Sequence, residues 1–357
     1  MSGLRLSVLD QSPIRRGGTP AQAIAETLEL ARLCDELGYH RYWLSEHHGT
    51  GLASASPEIL IGQVANQTKN IRVGSGGVML THYAPLKVAE QFRMLETLFP
   101  GRIDLGVGRA PGSDTRTARA LADGHAMADL DRYPDQLMDL YGFLSGTLPA
   151  GHPYRGITAQ PAGDTLPELW LLGSSRASAQ YAASLGWAFC FAHFISQEGP
   201  ETVLREYEAA FQPSPFLSAP RTAIGVSVTC AETTERAEYL SWSRWGSRVV
   251  SRARGQQGGG VMTPEDAMAI DYTGPERDYL EYLQQTYIYG DPGTVRGRLE
   301  SLAGEYGTGE VVLVTITYDF EARKDSYRLL AREFGLGQCP PGKGGFSREA
   351  ARGRGWR

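Results

Sequence analysis

Short apolar segments typical of buried strands alternate with amphipathic helical segments along most of the 357-residue chain. The predicted strands lie at about residues 4–9, 40–46, 71–75, 103–108, 169–172, 188–192, 223–229 and 311–316. A helical segment follows each strand, and several of these helices begin at a proline, which suits a first helical turn. The first helix is predicted to begin at a capping box of Thr19 and Gln22 and to end at Gly38. Eight strands that alternate with helices predict an α/β protein, a (β/α)8 TIM barrel with insertions.

An open, doubly wound sheet is the alternative architecture. It has little support, because the glycine-rich segment 106–112 lacks the glycine spacing of a dinucleotide-binding turn. We therefore predict one barrel domain over residues 1–337, with an irregular excursion at 146–166 and a lid-like insertion at 254–289. Within the insertion, a short helix is predicted near 275–286. Residues 338–357 are basic and glycine-rich, which predicts a disordered tail.

Composition limits the location and the partners of the protein. The net charge of −5 does not favour nucleic acid or an anionic membrane, and no apolar run is long enough to span a bilayer. The first residues lack the layout of a signal peptide, and the four cysteines lack the spacing of a metal site. We expect a cytoplasmic protein with reduced core thiols and with no metal, nucleic-acid or membrane partner.

Glu46, His47 and His48 lie at the carboxyl end of the second predicted strand. Catalytic groups of a parallel barrel gather at that end of the strands, and imidazole exchanges protons near neutral pH. Because neighbouring side chains of an extended segment point in opposite directions, the two histidines are not expected to share a metal ion. The alternative is that either ring is a packed, hydrogen-bonded histidine without a catalytic role.

Two further signals follow the third and fourth predicted strands. Gly76 and Gly77 leave bare backbone that a flat ligand could approach closely, although a bulge or a tight turn would also need glycine. Arg109 could bind a phosphate or a carboxylate through its guanidinium, or it could form an ordinary surface ion pair.

Ser174, Ser175 and Ser178 begin the helix after the fifth predicted strand. Free amides and hydroxyls at a helix start can hold a phosphate, while the same serines are also ordinary helix caps. All of these signals follow the carboxyl ends of strands. A closed barrel would therefore bring them to one rim, which predicts a ligand-binding site there.

The chain resembles the bacterial luciferase-like monooxygenases, in the branch labelled alkanal-monooxygenase-like. The resemblance covers about residues 4–335 and keeps the order of the motifs. These motifs are Glu46–His48, Arg72–Leu80, Ala84–Leu86 with Ala89–Gln91, Pro100–Arg109 and Trp170–Ser175.

This resemblance implies a barrel that binds reduced FMN (FMNH2) from a separate flavin reductase. The reduced flavin reacts with O2 to a C4a-hydroperoxide in that family. His47 would be the acid/base catalyst, and Glu46 would orient it or shape the ring pocket. A non-proline cis peptide is expected at Gly76–Gly77, beneath the flavin ring.

The resemblance also implies a phosphate site formed by Arg109, Ser175 and Ser178. Ser174 is the alternative to Ser175, because the alignment of the serines can shift by one position. Luciferase uses a second arginine beyond the fourth strand, and this sequence offers several candidates for it. They are Arg116, Arg119 and Arg176.

The expected activity is that of a two-component, FMNH2-dependent monooxygenase that oxygenates an apolar or aromatic organic substrate. The alternatives are hydride transfer with the deazaflavin F420, flavin binding without catalysis and, most distantly, metal-dependent hydrolysis. The family further implies a homodimer, a mobile lid within the insertion, and a possible tailoring step in polyketide antibiotic synthesis. The aromatic candidates for the substrate pocket are Tyr83, Phe191, Phe194 and Trp242.

Overall fold

The computed structural model describes residues 3–49, 51–110, 112–121, 132–196, 199–254 and 259–337. Its strands are β1 (Arg5–Asp10), β2 (Arg41–Leu44), β3 (Arg72–Ser75), β4 (Val78–Met79), β5 (Ile103–Gly108), β6 (Glu168–Gly173), β7 (Ala188–Phe191), β8 (Thr222–Cys230), β9 (Ile288–Gly290) and β10 (Glu310–Val314). Its helices are α1 (Pro20–Leu37), α2 (Pro57–Gln67), α3 (Pro85–Leu98), α4 (Thr115–Leu121), α5 (Tyr133–Ser145), α6 (Arg176–Leu185), α7 (Pro200–Ala210), α8 (Thr234–Arg254), α9 (Pro264–Met268), α10 (Gly274–Thr286), α11 (Pro292–Glu305) and α12 (Phe320–Glu333).

Eight strands pair in parallel and close into a barrel, in the order β1, β2, β3, β5, β6, β7, β8 and β10. Because β10 pairs with both β1 and β8, the ring is complete, and the predicted (β/α)8 barrel is confirmed. The short strands β4 and β9 pair with β5 and β8 and were not predicted. Strands of two and three residues carry too little alternation to be recognised in a sequence.

The amino end of the barrel is filled by an ionic network. The Arg41 side chain is 1% exposed and donates hydrogen bonds of 2.8 Å to both Asp104 and Glu310. Burial alone would raise the pKa of Asp104, but Arg41 and Arg72 together hold that pKa below its ordinary value. Above this network lies an apolar layer, which includes Leu9, Trp43, Trp170, Cys190 and Val312. These layers close the amino end, so a ligand site belongs at the carboxyl ends of the strands.

Local sequence signals set the ends of α1. Thr19 and Gln22 form the predicted capping box, with each side chain bonded to the backbone of the other residue. Gly38 ends the helix in the left-handed region, at φ 85°, where a side chain would be strained. A Cβ atom on Gly38 would also lie 2.7 Å from the Gly337 amide nitrogen. Both predicted boundaries of the helix are confirmed.

The structure describes the predicted excursion at 146–166 and most of the predicted insertion at 254–289. Residues 146–167 contain no helix or strand. The described part of 254–289 contains the predicted short helix, observed as α10, together with α9 and β9. Its role as a lid stays a prediction. Residues 255–258 and the predicted tail at 338–357 lie outside the described residues.

Three of the cysteines confirm the prediction of core thiols. Cys34, Cys190 and Cys230 are free and buried, whereas Cys339 lies outside the described residues. Within the described residues, no helix has both the length and the apolar character needed to cross a membrane.

Candidate active site

The predicted site residues follow neighbouring strands at one end of the barrel. His47 follows β2, Gly76–Gly77 follows β3, and Arg109 follows β5. β3 pairs with both β2 and β5. The His48 amide donates a 3.0 Å hydrogen bond to the Gly112 carbonyl, which joins the loops after β2 and β5. The structure therefore places these residues on the same rim, which we call the barrel mouth: the carboxyl ends of the eight barrel strands and the loops that follow them.

Hydrogen bonds fix both the backbone and the ring of His47. Its amide donates to the Ser54 carbonyl at 2.9 Å, and its ring Nδ1 lies 2.9 Å from the Ser45 hydroxyl. Burial, with smaller contributions from the positive Arg244 and from His48, lowers the pKa of His47 to about 4. The imidazole is thus neutral near pH 7 and is able to accept a proton.

Glu46 is completely buried and accepts three hydrogen bonds. These come from the Tyr83 hydroxyl at 2.7 Å, His48 Nε2 at 2.7 Å and the Met79 amide at 2.8 Å. The expected contact in which Glu46 orients His47 is not present, because the bond to the His47 ring comes from Ser45. Extended backbone explains the difference, since side chains two positions apart share a side of the chain. Glu46 therefore fixes His48, Tyr83 and the backbone of β4.

The Gly76–Gly77 peptide bond is cis, as the resemblance implied. A Cβ atom on Gly76 would lie 2.7 Å from Leu9 Cδ1, and one on Gly77 would lie 2.8 Å from the Gly106 carbonyl oxygen. Packing against β1 and β5 therefore requires glycine at both positions. Contact between this peptide and a flat ring stays a prediction.

Arg109 is exposed and lies near the side chain of Tyr133. Burial raises the pKa of Tyr133, and the positive charge of Arg109 opposes that rise. The Tyr133 hydroxyl is buried and has no hydrogen-bond partner among the described residues. Buried hydroxyls are normally paired, so an unpaired donor beside a guanidinium suits an anionic ligand group. Sequence analysis missed Tyr133, because it lies 24 residues beyond Arg109 along the chain.

The serines after β6 cap α6. The Ser175 hydroxyl accepts a 3.3 Å hydrogen bond from the Ser178 amide and lies 3.1 Å from the Ser178 hydroxyl. Ser178 is buried, whereas Ser174 is partly exposed. The ordinary capping role is thus present, and a phosphate contact by these serines stays a prediction.

The three candidates for a second phosphate arginine lie on two helices. Arg116 and Arg119 belong to α4, which follows β5, and Arg176 is the first residue of α6. Arg176 is exposed and forms an ion pair with Glu206 at 3.4 Å. Which of the three arginines contacts a phosphate stays a prediction.

The predicted aromatic pocket residues are dispersed in the structure. Phe191 belongs to the main core, Trp242 packs against Trp245, and Tyr83 is bonded to Glu46. Phe194 lines a cavity of about 330 Å³ beside the barrel mouth. Among the described residues, no cluster of three or more histidine, cysteine or acidic side chains is placed to hold a metal ion.

Arg244, on α8, is a site residue that sequence analysis missed. Its guanidinium donates to Gln11 Oε1 at 3.3 Å, and its charge acts on His47. Burial, and then the nearby Arg248, lower the pKa of Arg244 to about 10. Arginines at intervals of four along α8 were the available signal, since that spacing places them on one helix face.

The comparisons with known proteins cover almost the whole chain. The family described as luciferase-like monooxygenase matches residues 4–308. The uncharacterised protein YceB of Bacillus subtilis (strain 168) is 45% identical over 334 residues, which cover 93% of this chain and 99% of that protein. The N-acetyl-S-alkylcysteine monooxygenase of the same strain is 38% identical, over 92% of this chain and 97% of that enzyme.

A solved structure shows the same likeness. The crystal structure of apo-MsnO8 superposes with a TM-score of 0.84 at 38% identity. The match covers 93% of this chain and 99% of that one.

Proposed function

Because the chain belongs to the luciferase-like monooxygenase family, we propose that it is a two-component, flavin-dependent monooxygenase. It takes FMNH2 from a separate reductase and uses O2 to oxygenate an apolar or aromatic organic substrate. The observation that carries this proposal is the common position of His47, Gly76–Gly77 and Arg109 at one barrel mouth. A ring, a proton-transfer group and a phosphate-binding group are what a flavin site needs together.

The residues at the mouth fit a flavin mononucleotide. The Gly76–Gly77 peptide offers backbone without side chains, on which a flat ring can rest. Arg109 and the unpaired Tyr133 hydroxyl offer a positive charge and a donor for the phosphate. When bound, the reduced flavin supplies the electrons that activate dioxygen.

The part of His47 in the reaction follows from its hydrogen bond. Ser45 engages Nδ1, so Nε2 is the ring atom that exchanges a proton with the reacting group. Since the low pKa keeps the ring neutral, His47 begins the reaction as a base. The buried Glu46 holds the neighbouring His48 and Tyr83 in place and stabilises this wall of the site.

The test combines ligand binding with oxygen labelling. Purified protein is titrated anaerobically with FMN, FMNH2 and reduced F420, and the FMNH2 complex is then mixed with ¹⁸O2 and organic candidates. A thioether acid such as N-acetyl-S-methylcysteine is the first candidate, given the name of the Bacillus relative. We expect tight FMNH2 binding and one ¹⁸O atom in the product. Hydride transfer with F420, or flavin binding without any labelled product, would overturn the proposal.

A further inference from the structure

A cavity beside the barrel mouth is lined by residues that have no part in the flavin site described above. The cavity of about 330 Å³ is bounded by β8, the loop after β7, α8 and α10. Its lining combines basic and aromatic side chains with a hydroxyl, among them Arg248, Arg252, Tyr279, Phe194 and Ser227. None of the described residues that line it is acidic. For a chain with net charge −5, this is a local excess of positive charge.

Three arginines of α8 share the helix face that looks onto this region. Arg244, Arg248 and Arg252 are spaced four residues apart. Arg248 donates to the Phe194 carbonyl at 3.3 Å, and the Arg252 guanidinium lies 4.3 Å from the centre of the Tyr279 ring. In the part of the chain that the structure describes, none of the three forms an ion pair with a carboxylate.

Two buried arginines elsewhere in the protein, Arg41 and Arg323, are paired with carboxylates. Arg41 contacts Asp104 and Glu310, and Arg323 contacts Asp10 at 2.8 Å. Removing a guanidinium from water is unfavourable unless an anion compensates it. Arg244 and Arg248 are partly buried, and within the described protein they lack the carboxylate partner that Arg41 and Arg323 have.

Ser227 supplies an independent observation. Its side chain is 7% exposed, and it lines the cavity. The buried hydroxyl has no hydrogen-bond partner among the described residues. Since buried hydroxyls are nearly always paired, a ligand acceptor in the cavity would complete its bonding.

We propose that this cavity binds the carboxylate of the substrate, with Arg248 and Arg252 as its ion-pair partners and Ser227 as a hydrogen-bond donor. The planar guanidinium matches the two oxygens of a carboxylate, and the aromatic rings accommodate an apolar remainder. Arg244 precedes Arg248 by about one helical turn and acts electrostatically on His47, so an acid anchored there would lie on the same side of the barrel mouth as the catalytic residue. The substrate class is then an aromatic or aliphatic carboxylic acid, a conclusion that rests on the proposed monooxygenase function.

Binding to flavin-free protein tests the proposal without any turnover. Isothermal titration calorimetry would compare 4-phenylbutyrate, octanoate and N-acetylphenylalanine with their neutral primary amides. We expect at least one acid to bind about tenfold or more tightly than its amide, which is the strength of a charged hydrogen-bonded pair. Equal affinities of each acid and its amide, or no binding by any of the acids, would overturn it.

Arginine variants locate the site. Arg248→Gln and Arg252→Gln should each weaken binding of the acid about tenfold and leave binding of the amide unchanged. Arg236→Gln is the matched control, since Arg236 is also an exposed arginine of α8 over a tyrosine, 4.9 Å from the centre of the Tyr239 ring. An equal loss in the control would indicate a general charge effect and reject the site.

Arg252 is exposed, so Arg252→Gln should not disturb folding, and lost binding would not result from misfolding. Thermal melting of each variant checks this expectation. The calorimetric result involves neither flavin nor oxygen. Failure of the anion site therefore leaves the monooxygenase proposal standing, and a failure of ¹⁸O incorporation leaves the measured affinities valid.

Discussion

Ser45 and Arg244 are the residues that set the state of His47. One fixes Nδ1 by a hydrogen bond, and the other disfavours a second positive charge nearby. Arg244 could not be predicted from the sequence, because it lies almost 200 residues from His47 along the chain. The contact with Ser45 was missed, although side chains two positions apart share a side of an extended chain. His47 itself could be predicted, since its residue type and its place at a strand end are visible in the sequence. The expected contact between Glu46 and His47 was wrong, because the two side chains point to opposite sides of the extended chain.

Replacing His47 by Ala should lower turnover about 10²–10⁴-fold, the usual contribution of an acid/base residue. Affinity for FMN should change little, because the proposed contacts with the flavin ring come from the Gly76–Gly77 backbone. Steady-state rates with saturating FMNH2 and flavin fluorescence titrations measure the two effects. His48→Ala is the control, since His48 bonds Glu46 and should affect turnover less. Unchanged turnover in the His47 variant would remove it from the mechanism.

The pH dependence follows from the lowered pKa of His47. Its pKa is about 4, against an ordinary value of 6.5, so the ring stays neutral down to about pH 4. The unfolded chain binds the proton more readily between these values. The corresponding stability is therefore present above pH 6.5 and is lost as pH falls towards 4.

Arg244→Gln should move the acidic limb of the activity profile upward in pH, because one cause of the low pKa is removed. The shift should be partial, since burial is the larger cause and remains. Rates measured from pH 4 to 8 for the wild type and for the variant provide the comparison, and Arg236→Gln should leave the limb in place. An unmoved limb in the Arg244 variant would contradict the electrostatic contact.

Among the elements, the β3–β4 segment has the least room for change. A Cβ atom on Gly77 would meet the backbone of β5, which cannot rotate away as a side chain could. Gly77→Ala should therefore lower the free energy of unfolding by about 1–3 kcal/mol, the usual cost of overpacking. Urea denaturation measures the change. Gly297→Ala, in α11 with open space around its Cβ position, should instead be stabilising by about 0.5–1 kcal/mol.

The elements that could be predicted are those with enough residues to show a period. The eight barrel strands and most of the helices fall in this class, and the barrel follows from their alternation. Residues 146–167 could be recognised by their lack of period. The helix α10 was predicted near 275–286, whereas α9 was missed, since it has five residues and the glycines nearby suggested a mobile segment. Their place against α8 depends on tertiary packing, which gives no local signal.

For the whole molecule, the outer surface of α2 and α3 carries apolar side chains. Ile59, Met94 and Leu98 are 68%, 51% and 60% exposed. Gln91 of α3 donates to Glu58 of α2 at 3.4 Å, so the two helices lie side by side. We propose that this surface is the contact of the predicted homodimer, because covering such apolar residues removes them from water.

Met94→Glu should shift the protein towards monomers, because a charge in an apolar interface is costly to bury. Sedimentation equilibrium of the wild type and of the variant measures the change in association. Met138→Glu is the matched control, since Met138 is 53% exposed on α5. A monomeric wild type, or the same dissociation in the control variant, would place the contact elsewhere or reject it.

Because the amino end of the barrel is filled, ligands approach His47 from the barrel mouth. Arg41 with its acidic partners, and the tryptophans above them, block passage through the barrel axis. Among the described residues, the open route along the barrel axis to His47 is therefore the mouth, for ligands that enter and for products that leave. An oxygenated product that dissociates slowly from the mouth would block the binding of the next substrate molecule. We therefore expect added product to inhibit competitively against substrate, and rates at several concentrations of both would reveal that pattern.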